Sequence, residues 1–415
     1  MFCCRQRRMS NKQAAIEIVE RLQQQGFEAL LAGGCVRDML LGRPAKDYDV
    51  ATNARPDDVI RLFRRTLKVG AKFGVVIVLA DGQQVEVATF RSEAGYADGR
   101  HPSEVRFTTA AEDASRRDFT INGMFYDPLK GQVIDYVGGE ADLKKGIIRT
   151  IGDPEERFSE DYLRMLRAIR FSTRLAFPME PQTYSAIGRN AANIVRISGE
   201  RIAVELEGIL THPNRARGAA MLAETGLAQA IFPGLTGDRT SRGIAVLGGL
   251  RKKVEFPLAV AALFADCPTR FAMEGTEVLK LSRNQIKHLK FLLAHRGRLL
   301  QCDMSLARLK SLLAEPHFWD LYELERGIQK ATAGNKNMTP LIKLRRRIRD
   351  LAGVEVKPKP LLDGHDLMHL GIVPGPVLGR LIEELYAAQL EGEVQTREQA
   401  QQWARNWLQR QHPAG

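Results

Sequence analysis

A change in pattern near residue 150 constrains the fold of this chain more than any other feature of its sequence. From about Phe27 to Thr150, short β-rich runs alternate with turns, and four of them predict strands: FEALLAGG, KDYDVAT, GVVIVLADGQQVEVATF and GQVIDYVGG. The Asp81-Gly82 pair inside the third run predicts a β-hairpin. Beyond Thr150 the spacing of apolar residues is helical almost throughout. The sequence therefore predicts an α+β protein, with a small α/β head followed by an all-α remainder.

Length and charge limit the kind of protein further. At 415 residues the chain is too long for one ordinary core and should divide into two to four units. It contains neither a long apolar run nor an apolar segment after its basic start, so we expect a cytoplasmic protein without a membrane span or secretory signal. Five scattered cysteines lack metal-site spacing and are expected to be reduced. The net charge of +12 favours a polyanionic partner such as nucleic acid, and the alternative is a charge that serves only solubility.

The stretch LAGGCVRDMLLGRPAKDYDVAT, residues 31–52, combines two glycines with an Asp-x-Asp pair. In an extended segment, residues two apart face the same side, so Asp47 and Asp49 should point the same way. Carboxylate oxygens on one face suit Mg²⁺ bound together with substrate phosphates. Gly33 and Gly34 end a predicted strand and open a helix, where backbone N–H groups can approach a phosphate. The combination predicts a site for a metal and a triphosphate.

Further polar residues are candidates to complete this site. Glu86, in VEVATFR, would be the third acid of a two-metal site; the alternative is an outward-facing strand glutamate, and periodicity does not decide between them. In RRDFTING, Arg116, Arg117 and Asp118 are candidates to hold triphosphate and ribose, because arginine forks fit phosphate. Asn122 lies one helical turn beyond Asp118. The alternative for this segment is a surface helix with ion pairs.

The segment RFSEDYLRMLRAIRF, residues 157–171, predicts one helix with an ionic face and an apolar face. The ionic face carries Glu160, Asp161, Arg164 and Arg167. An aspartate accepts and an arginine donates, so Asp161 and Arg164 together match the pairing edges of cytosine and adenine but not those of uracil and guanine. The pair predicts selection of C and A without a template. The alternative is an ordinary amphipathic helix with i,i+4 ion pairs.

These segments resemble the class II nucleotidyltransferase superfamily, which contains CCA-adding, A-adding and CC-adding tRNA nucleotidyltransferases and bacterial poly(A) polymerases. The matching motifs, in the family's order, are GGCVRDMLLG, DYDVAT, RRDFTINGM, DYVGGEADLKKGIIRTIG, EDYLRMLR and ISGERIAVELEGIL. The resemblance implies a polymerase β-like head with a five-stranded sheet at 27–148, preceded by a leader and helix at 1–26. A helical neck at 149–212 and an RNA-binding helical body and tail at 213–415 would follow.

The resemblance also implies roles for individual residues. Two Mg²⁺ ions would be bound by three acids: Asp47, Asp49 and Glu86. Triphosphate and ribose contacts would come from Arg37, Arg116, Arg117 and Asp118, and base selection from Glu160, Asp161 and Arg164. The residue patterns add four further nucleotide-binding candidates: Gly33, Gly34, Asn122 and Arg167. The implied reaction is attack of a tRNA 3′-hydroxyl on the α-phosphate of CTP or ATP, with release of pyrophosphate.

The head and neck motifs do not separate the members of this superfamily. The segment FRSEAGYADGRHPSEVRFTT resembles the flexible loop that permits the switch from C to A, and the C-terminal segment resembles the tails of CCA-adding and A-adding proteins. We therefore expect CCA addition to tRNA, with A addition or poly(A) synthesis as alternatives. A catalytically idle RNA-binding protein is the alternative from another class. No membrane and no obligate protein partner is expected.

A basic segment near the C-terminus is a candidate to hold the RNA. PLIKLRRRIRDLAG, residues 340–353, predicts a helix whose apolar stripe is Leu344, Ile348 and Leu351. The other side would present a guanidinium row to RNA phosphates. This row consists of Arg345, Arg346 and Arg349. The alternative is a solvated helix face.

Overall fold

The computed structural model describes residues 9–68, 74–96, 102–301, 304–333 and 338–411, and for 93–96, 102–105 and 411 it describes the backbone alone. Most of the predicted leader, the centre of the predicted flexible loop (97–101), and Cys3, Cys4 and Cys302 lie outside this part of the chain. The other two cysteines, Cys35 and Cys267, are free and buried. The chain forms two compact units: Met1–Thr236 with Thr276–Lys280, and Gly237–Gly275 with Leu281–Gly415.

The first unit contains the strands. In chain order they are β1 (Ala29–Ala32), β2 (Asp49–Thr52), β3 (Thr66–Leu67), β4 (Val75–Ala80), β5 (Gln83–Thr89), β6 (Arg91–Tyr96), β7 (Pro102–Phe107), β8 (Phe125–Asp127) and β9 (Gln132–Ile134). Strands β6 and β7 form a separate hairpin, and the others form one sheet in the order β3-β4-β5-β2-β1-β8-β9. Only β2 and β5 pair in parallel among these described strands. The α+β class is confirmed, but the sheet has seven strands rather than five, because the short β3 and β9 extend its edges.

Local sequence explains the strands that flank the site. The predicted hairpin is present as β4 and β5, and its turn residues Asp81 and Gly82 have φ of 46° and 80°. Positive φ at both turn residues matches the right-handed twist of the strands. Val85, Val87 and Thr89 alternate into the core, so the residues between them, including Glu86, face outward. Strand β1 is buried along its whole length, as expected for a central strand.

Eleven described α-helices surround the sheet and extend the first unit. They are α1 (Asn11–Gln24), α2 (Gly34–Leu40), α3 (Pro56–Leu62), α4 (Ala110–Ser115), α5 (Gly139–Lys145), α6 (Pro154–Glu160), α7 (Leu163–Leu175), α8 (Pro181–Asn190), α9 (Gly199–Leu210), α10 (Arg215–Glu224) and α11 (Leu227–Ile231). Helix α1 begins with a capping box of Ser10 and Gln13 and packs its apolar side against β1 and β5. Helices α7 and α9 pack against each other. Their contact supports one wall of the site.

The second unit is helical in all its described parts. Its helices are α12 (Gly237–Gly249), α13 (Phe256–Leu263), α14 (Thr269–Thr276, whose last residue belongs to the first unit), α15 (Arg283–His295), α16 (Leu306–Leu313), α17 (Phe318–Ala333), α18 (Thr339–Asp350), α19 (Gly364–His369), α20 (Pro376–Glu391) and α21 (Arg397–Gln411). Helix α13 is buried on every side and packs against α12, α15 and α17. Leu367, Leu381 and Trp407 belong to a separate core near the C-terminus. Among the helices described here, none is long and apolar enough to cross a membrane.

Candidate active site

A cavity of about 1010 Å³ in the first unit brings most of the predicted site residues together. Twelve of them line it: Gly33, Gly34, Arg37, Asp47, Asp49, Arg116, Arg117, Asp118, Asn122, Asp161, Arg164 and Arg167. Glu86 and Glu160 are not part of the lining. The predicted RNA-binding arginines of α18 belong to the second unit. The cavity volume lies at the upper end of the range for ligand sites, about 300–1,000 Å³.

The acids of the Asp-x-Asp pair face the cavity together. Asp49 begins β2 and Asp47 lies two residues before it; both are exposed, while Tyr48 between them is buried. The parallel pairing of Val50 with Val87 places Glu86 on the strand next to Asp49. Glu86 is exposed on its strand. The expected alternation of the aspartates is confirmed. The strand pairing places Glu86, the predicted third acid, beside Asp49.

The acid group carries a strong concentration of negative charge. Asp49 is open to the cavity, but desolvation by the protein atoms around it raises its pKa to about 6; the charges of Glu86 and Asp47 add to this effect, and Arg117 opposes it. Oxygen-only carboxylate donors that repel one another in this way fit a hard divalent cation, whose charge would relieve the repulsion. The three acids are therefore chemically suited to hold such ions.

Another group of possible ligands lies in the second unit. Among the described residues, Glu255, His288 and Asp320 place their ligand atoms within 4.8 Å of one another. His288 Nε2 lies 3.2 Å from Asp320, but Nδ1, at the other side of the ring, is the atom 3.6 Å from Glu255. Asp320 is also paired with Arg251 at 2.9 Å. Each carboxylate thus lies nearest a different ring nitrogen, and this group is a second set of potential metal ligands, separate from the acids of the cavity.

Two arginines at one wall of the cavity are held from beneath by a buried carboxylate. Arg116 Nε donates to Asp113 Oδ1 at 2.9 Å, and Arg117 Nη2 donates to Asp113 Oδ2 at 2.9 Å. Burial alone would raise the pKa of Asp113, but Arg117 and Arg116 hold it below its usual range. A Cβ on Gly33, whose φ is 73°, would lie 3.1 Å from Arg117 Nη1. The segment is therefore a cavity wall rather than the alternative surface helix.

A chain of hydrogen bonds fixes the next residues of this wall. Arg167 donates to Asp118 Oδ2 from Nε at 2.8 Å and from Nη2 at 2.5 Å. Asn122 donates to Asp118 Oδ1 at 3.3 Å and accepts from Arg37 Nη1 at 2.6 Å. Burial would raise the pKa of Asp118, but Arg167 and the hydrogen bonds lower it. Asp118 is thus an ionised acceptor that joins α7 to the wall, through two residues 49 positions apart in sequence.

The predicted helix over residues 157–171 is wrong in one respect, because the structure divides it. Helix α6 ends at Glu160, Asp161 is extended (φ −151°, ψ 103°), and Tyr162 caps α7. The break turns Asp161 toward the cavity, while Glu160, which does not line the cavity, pairs with the lining residue Arg164. Arg164 also donates to the carbonyl of Arg157 at 2.8 Å. Selection of bases by Glu160 stays a prediction: in the structure its carboxylate does not line the cavity and pairs with Arg164.

Several lining residues were missed in the sequence. They are Asp38, Arg43, Lys46, Arg170, Arg174, Arg201 and His212. In α7, the spacing of Arg164, Arg167, Arg170 and Arg174 is a helical signal that could have revealed a cationic face. Burial and the charges of Arg170 and Arg37 lower the pKa of Arg174. Ten arginine and lysine residues and five aspartates stand among the described lining residues, a balance that favours an anionic ligand.

Comparison with known proteins agrees with this geometry. Residues 29–149 match the family described as the Poly A polymerase head domain, and residues 176–238 match the probable RNA and SrmB-binding site of polymerase A. The fold and the acid group thus define a nucleotidyltransferase. Nucleotidyltransferases of this kind generally use divalent metal ions.

Individual relatives show which family of nucleotidyltransferases the chain resembles. A CCA-adding enzyme of Anoxybacillus flavithermus is 36% identical over 400 residues, which cover 94% of this chain and 96% of that one. The CCA-adding enzyme of Geobacillus stearothermophilus is 46% identical over 226 residues, about half of each chain (54% and 55%). The crystal structure of the Bacillus stearothermophilus CCA-adding enzyme in complex with CTP is 31% identical, with a TM-score of 0.80 over 98% of this chain and 100% of that chain. This chain belongs to the family of CCA-adding enzymes.

Proposed function

We propose that the protein adds C and A from CTP and ATP to the 3′ end of tRNA, without a nucleic-acid template, to complete the CCA end. The observation that carries this proposal is one cavity that combines Asp47 and Asp49 with the Asp161 and Arg164 pair. The first group suits metal-assisted attack on a phosphate, and the second suits the pairing edges of cytosine and adenine. The related structure with CTP supports the same reading.

In the proposed reaction, different residues of the site bind the metal ions and the triphosphate. Asp47, Asp49 and Glu86 would hold two Mg²⁺ ions, which when bound help to deprotonate the tRNA 3′-hydroxyl and to stabilise the leaving pyrophosphate. Arg116 and Arg117 would bind the triphosphate, and their bonds to the buried Asp113 hold both forks in place before the substrate arrives. Because these guanidinium groups are already ordered, binding costs less side-chain entropy.

The remaining walls would recognise the sugar and the base. Asp118 would accept from a ribose hydroxyl by exchanging one of its present hydrogen bonds, such as the long bond from Asn122, and Arg167 keeps this carboxylate ionised and oriented. Asp161 would accept from the amino group of C or A, and Arg164 would donate to the neighbouring ring nitrogen. Uracil and guanine present the opposite order, so each would leave polar groups unpaired.

The RNA would also be bound by residues of the second unit. Leu341 and Leu344 of α18 are buried, which leaves a basic row of this helix in solvent. We infer that this row contacts the tRNA backbone through charge, with little dependence on base sequence. The exposed arginines are Arg345, Arg346 and Arg349.

The test is extension of tRNA transcripts that end before CCA, after C and after CC, beside an unstructured RNA, with Mg²⁺ and CTP, ATP or both. Completion of CCA on all three tRNAs is the expected result. A single A added only to the CC-ended tRNA would instead identify an A-adding enzyme, and long A tails on any RNA would identify a poly(A) polymerase. No extension would favour the idle RNA-binding alternative.

Variants connect the activity to the cavity. Asp49→Ala should abolish incorporation but keep tRNA binding, because it removes an acid that would hold metal and not an RNA contact. Asp57→Ala is the control, since Asp57 is exposed on α3 and does not line the cavity. EDTA should stop the wild-type reaction, and Mg²⁺ should restore it. Full activity of Asp49→Ala would contradict the assignment of the acids.

A further inference from the structure

The break between α6 and α7 leaves Asp161 without the support of a regular helix. Its backbone is extended, so the orientation of its side chain depends on hydrogen bonds rather than on a helical neighbour. One oxygen, Oδ1, accepts from the backbone N–H of Leu163 at 3.0 Å. The other, Oδ2, accepts from Arg201 Nη2 at 2.7 Å. Among the bonds seen in the described residues, Arg201 supplies the one from a different helix.

Helix α9 is built to hold that arginine in place. Arg201 lies in its first turn, and Ile202, Leu206 and Ile209 are buried along its length. One turn after Arg201, Glu205 accepts from Arg170 Nε of α7 at 2.5 Å. Residues 201 and 205 therefore attach the same face of α9 to the break itself and to the helix that follows it, α7. The two bonds fix the position of α9 along the cavity wall.

The start of α9 is anchored as well. A Cβ on Gly199 would lie 1.7 Å from the carbonyl oxygen of Val278, so a glycine allows the helix to begin directly against the turn Glu277–Leu279. Just before α9, the guanidinium of Arg196 lies 5.6 Å from the centre of the Tyr162 ring. Arg196 and Arg201 thus contact consecutive residues of the break.

We propose that Arg201 is a positioning residue for nucleotide selection, which acts by holding Asp161 at the angle needed to meet a base. This inference rests on the proposed function. Each oxygen of Asp161 makes one bond within the protein and keeps a lone pair for the amino group of C or A. Arg164 is held independently, through Glu160 and the carbonyl of Arg157. The two halves of the base-reading pair are therefore fixed by different helices.

The test compares nucleotide discrimination in wild type, Arg201→Gln and Arg201→Lys. For each protein, kcat/KM is measured for CTP, ATP, UTP and GTP on tRNAs that end before CCA and after CC. Arg201→Gln should lower the preference for CTP over UTP and for ATP over GTP about tenfold, equivalent to about 1.4 kcal/mol. Arg201→Lys keeps the charge and should restore part of this preference. Thermal unfolding checks that both variants fold, and Arg201→Lys supplies the comparison should Arg201→Gln not fold.

Two further proteins separate positioning from other effects. Arg189→Gln breaks an ion pair with Glu155 (2.6 Å) in the same unit, away from the cavity lining, and should leave discrimination unchanged. In an Asp161→Ala background, Arg201→Gln should change discrimination less than twofold, because its effect passes through Asp161.

The outcomes distinguish the inference from the function on which it rests. Equal loss of activity with all four nucleotides, or additive effects of Arg201→Gln and Asp161→Ala, would show that Arg201 serves stability or touches the substrate directly, and would overturn the inference. Unchanged discrimination in Arg201→Gln would do the same. Wild-type protein that adds neither C nor A would overturn the proposed function first, and the positioning role with it.

Discussion

Glu325 of α17 offers a test of how this chain tolerates an isolated buried charge. The residue is 0% exposed. One carboxylate oxygen accepts from the backbone N–H of Gly297, and the other, Oε2, is buried with no hydrogen-bond partner in the described part of the chain. Burial raises the pKa of Glu325 from 4.5 to about 7, against the opposing effects of the Gly297 N–H and Arg296. The perturbation we consider is Glu325→Gln, which keeps the shape and removes the charge.

The magnitude follows from the two pKa values. The difference between 4.5 in the unfolded chain and about 7 in the folded one corresponds to about 3 kcal/mol. Because the folded state binds the proton more tightly, this stabilisation is fully present below pH 4.5 and is lost as the pH rises through 7. Glutamine does not titrate. The variant should therefore match the wild type near pH 4.5 and exceed its free energy of unfolding by about 3 kcal/mol at pH 8.

The assay is urea unfolding at several pH values, followed by tryptophan fluorescence. All three tryptophans, Trp319, Trp403 and Trp407, belong to the second unit, as Glu325 does, so the signal reports on that unit. Glu323→Gln is a matched control in the same helix. Glu323 accepts from Arg326 Nε at 2.8 Å, and loss of its charge should lower stability by about 1–3 kcal/mol at pH 8. Parallel pH profiles for wild type and Glu325→Gln would refute the reasoning, as would a Glu325→Gln protein less stable than wild type at pH 8.

Two further predictions concern backbone packing and RNA. Gly199→Ala should lower the stability of the first unit by about 1–3 kcal/mol, because its Cβ meets the Val278 carbonyl oxygen. Gly188→Ala, in an exposed position of α8 with open space around it, should instead raise stability by about 0.5–1 kcal/mol. Thermal unfolding followed by circular dichroism compares the two variants. Equal effects of the two substitutions would contradict the packing argument. Replacing the α18 arginines by glutamine should reduce the dependence of log affinity for tRNA on log salt by about two, and an unchanged slope would exclude their contact with phosphates. These arginines are Arg345, Arg346 and Arg349.

Features governed by near neighbours could be predicted from the sequence. The Asp81-Gly82 turn requires positive φ at two successive residues, which few residue pairs accept, and the hairpin formed where predicted. The alternation of Asp47 and Asp49 around a buried Tyr48 follows from strand geometry alone. These elements need no knowledge of the rest of the chain.

Features governed by distant partners could not be predicted in the same way. Periodicity continues across residue 161, so it gives no sign that the helix divides there. The bond that holds Asp161 comes from a residue 40 positions away, Arg201. The position of Glu86 beside Asp49 likewise depends on the parallel pairing of β2 with β5, which strand propensity does not specify. Local patterns thus identify the chemistry of the residues, and long-range pairing decides which of them meet.

The division of the first unit between two stretches of chain affects its synthesis. Thr276–Lys280 belongs to this unit, although 39 residues of the other unit, Gly237–Gly275, separate it from Thr236. Its Leu279 is fully buried, and its Val278 carbonyl faces Gly199 at the start of α9. A ribosome making this protein must therefore translate past residue 280 before the nascent first unit holds all its parts. A fragment that stops at Thr236 would lack the turn against which α9 begins, so proteolysis or gene truncation at that boundary should not release an intact catalytic half.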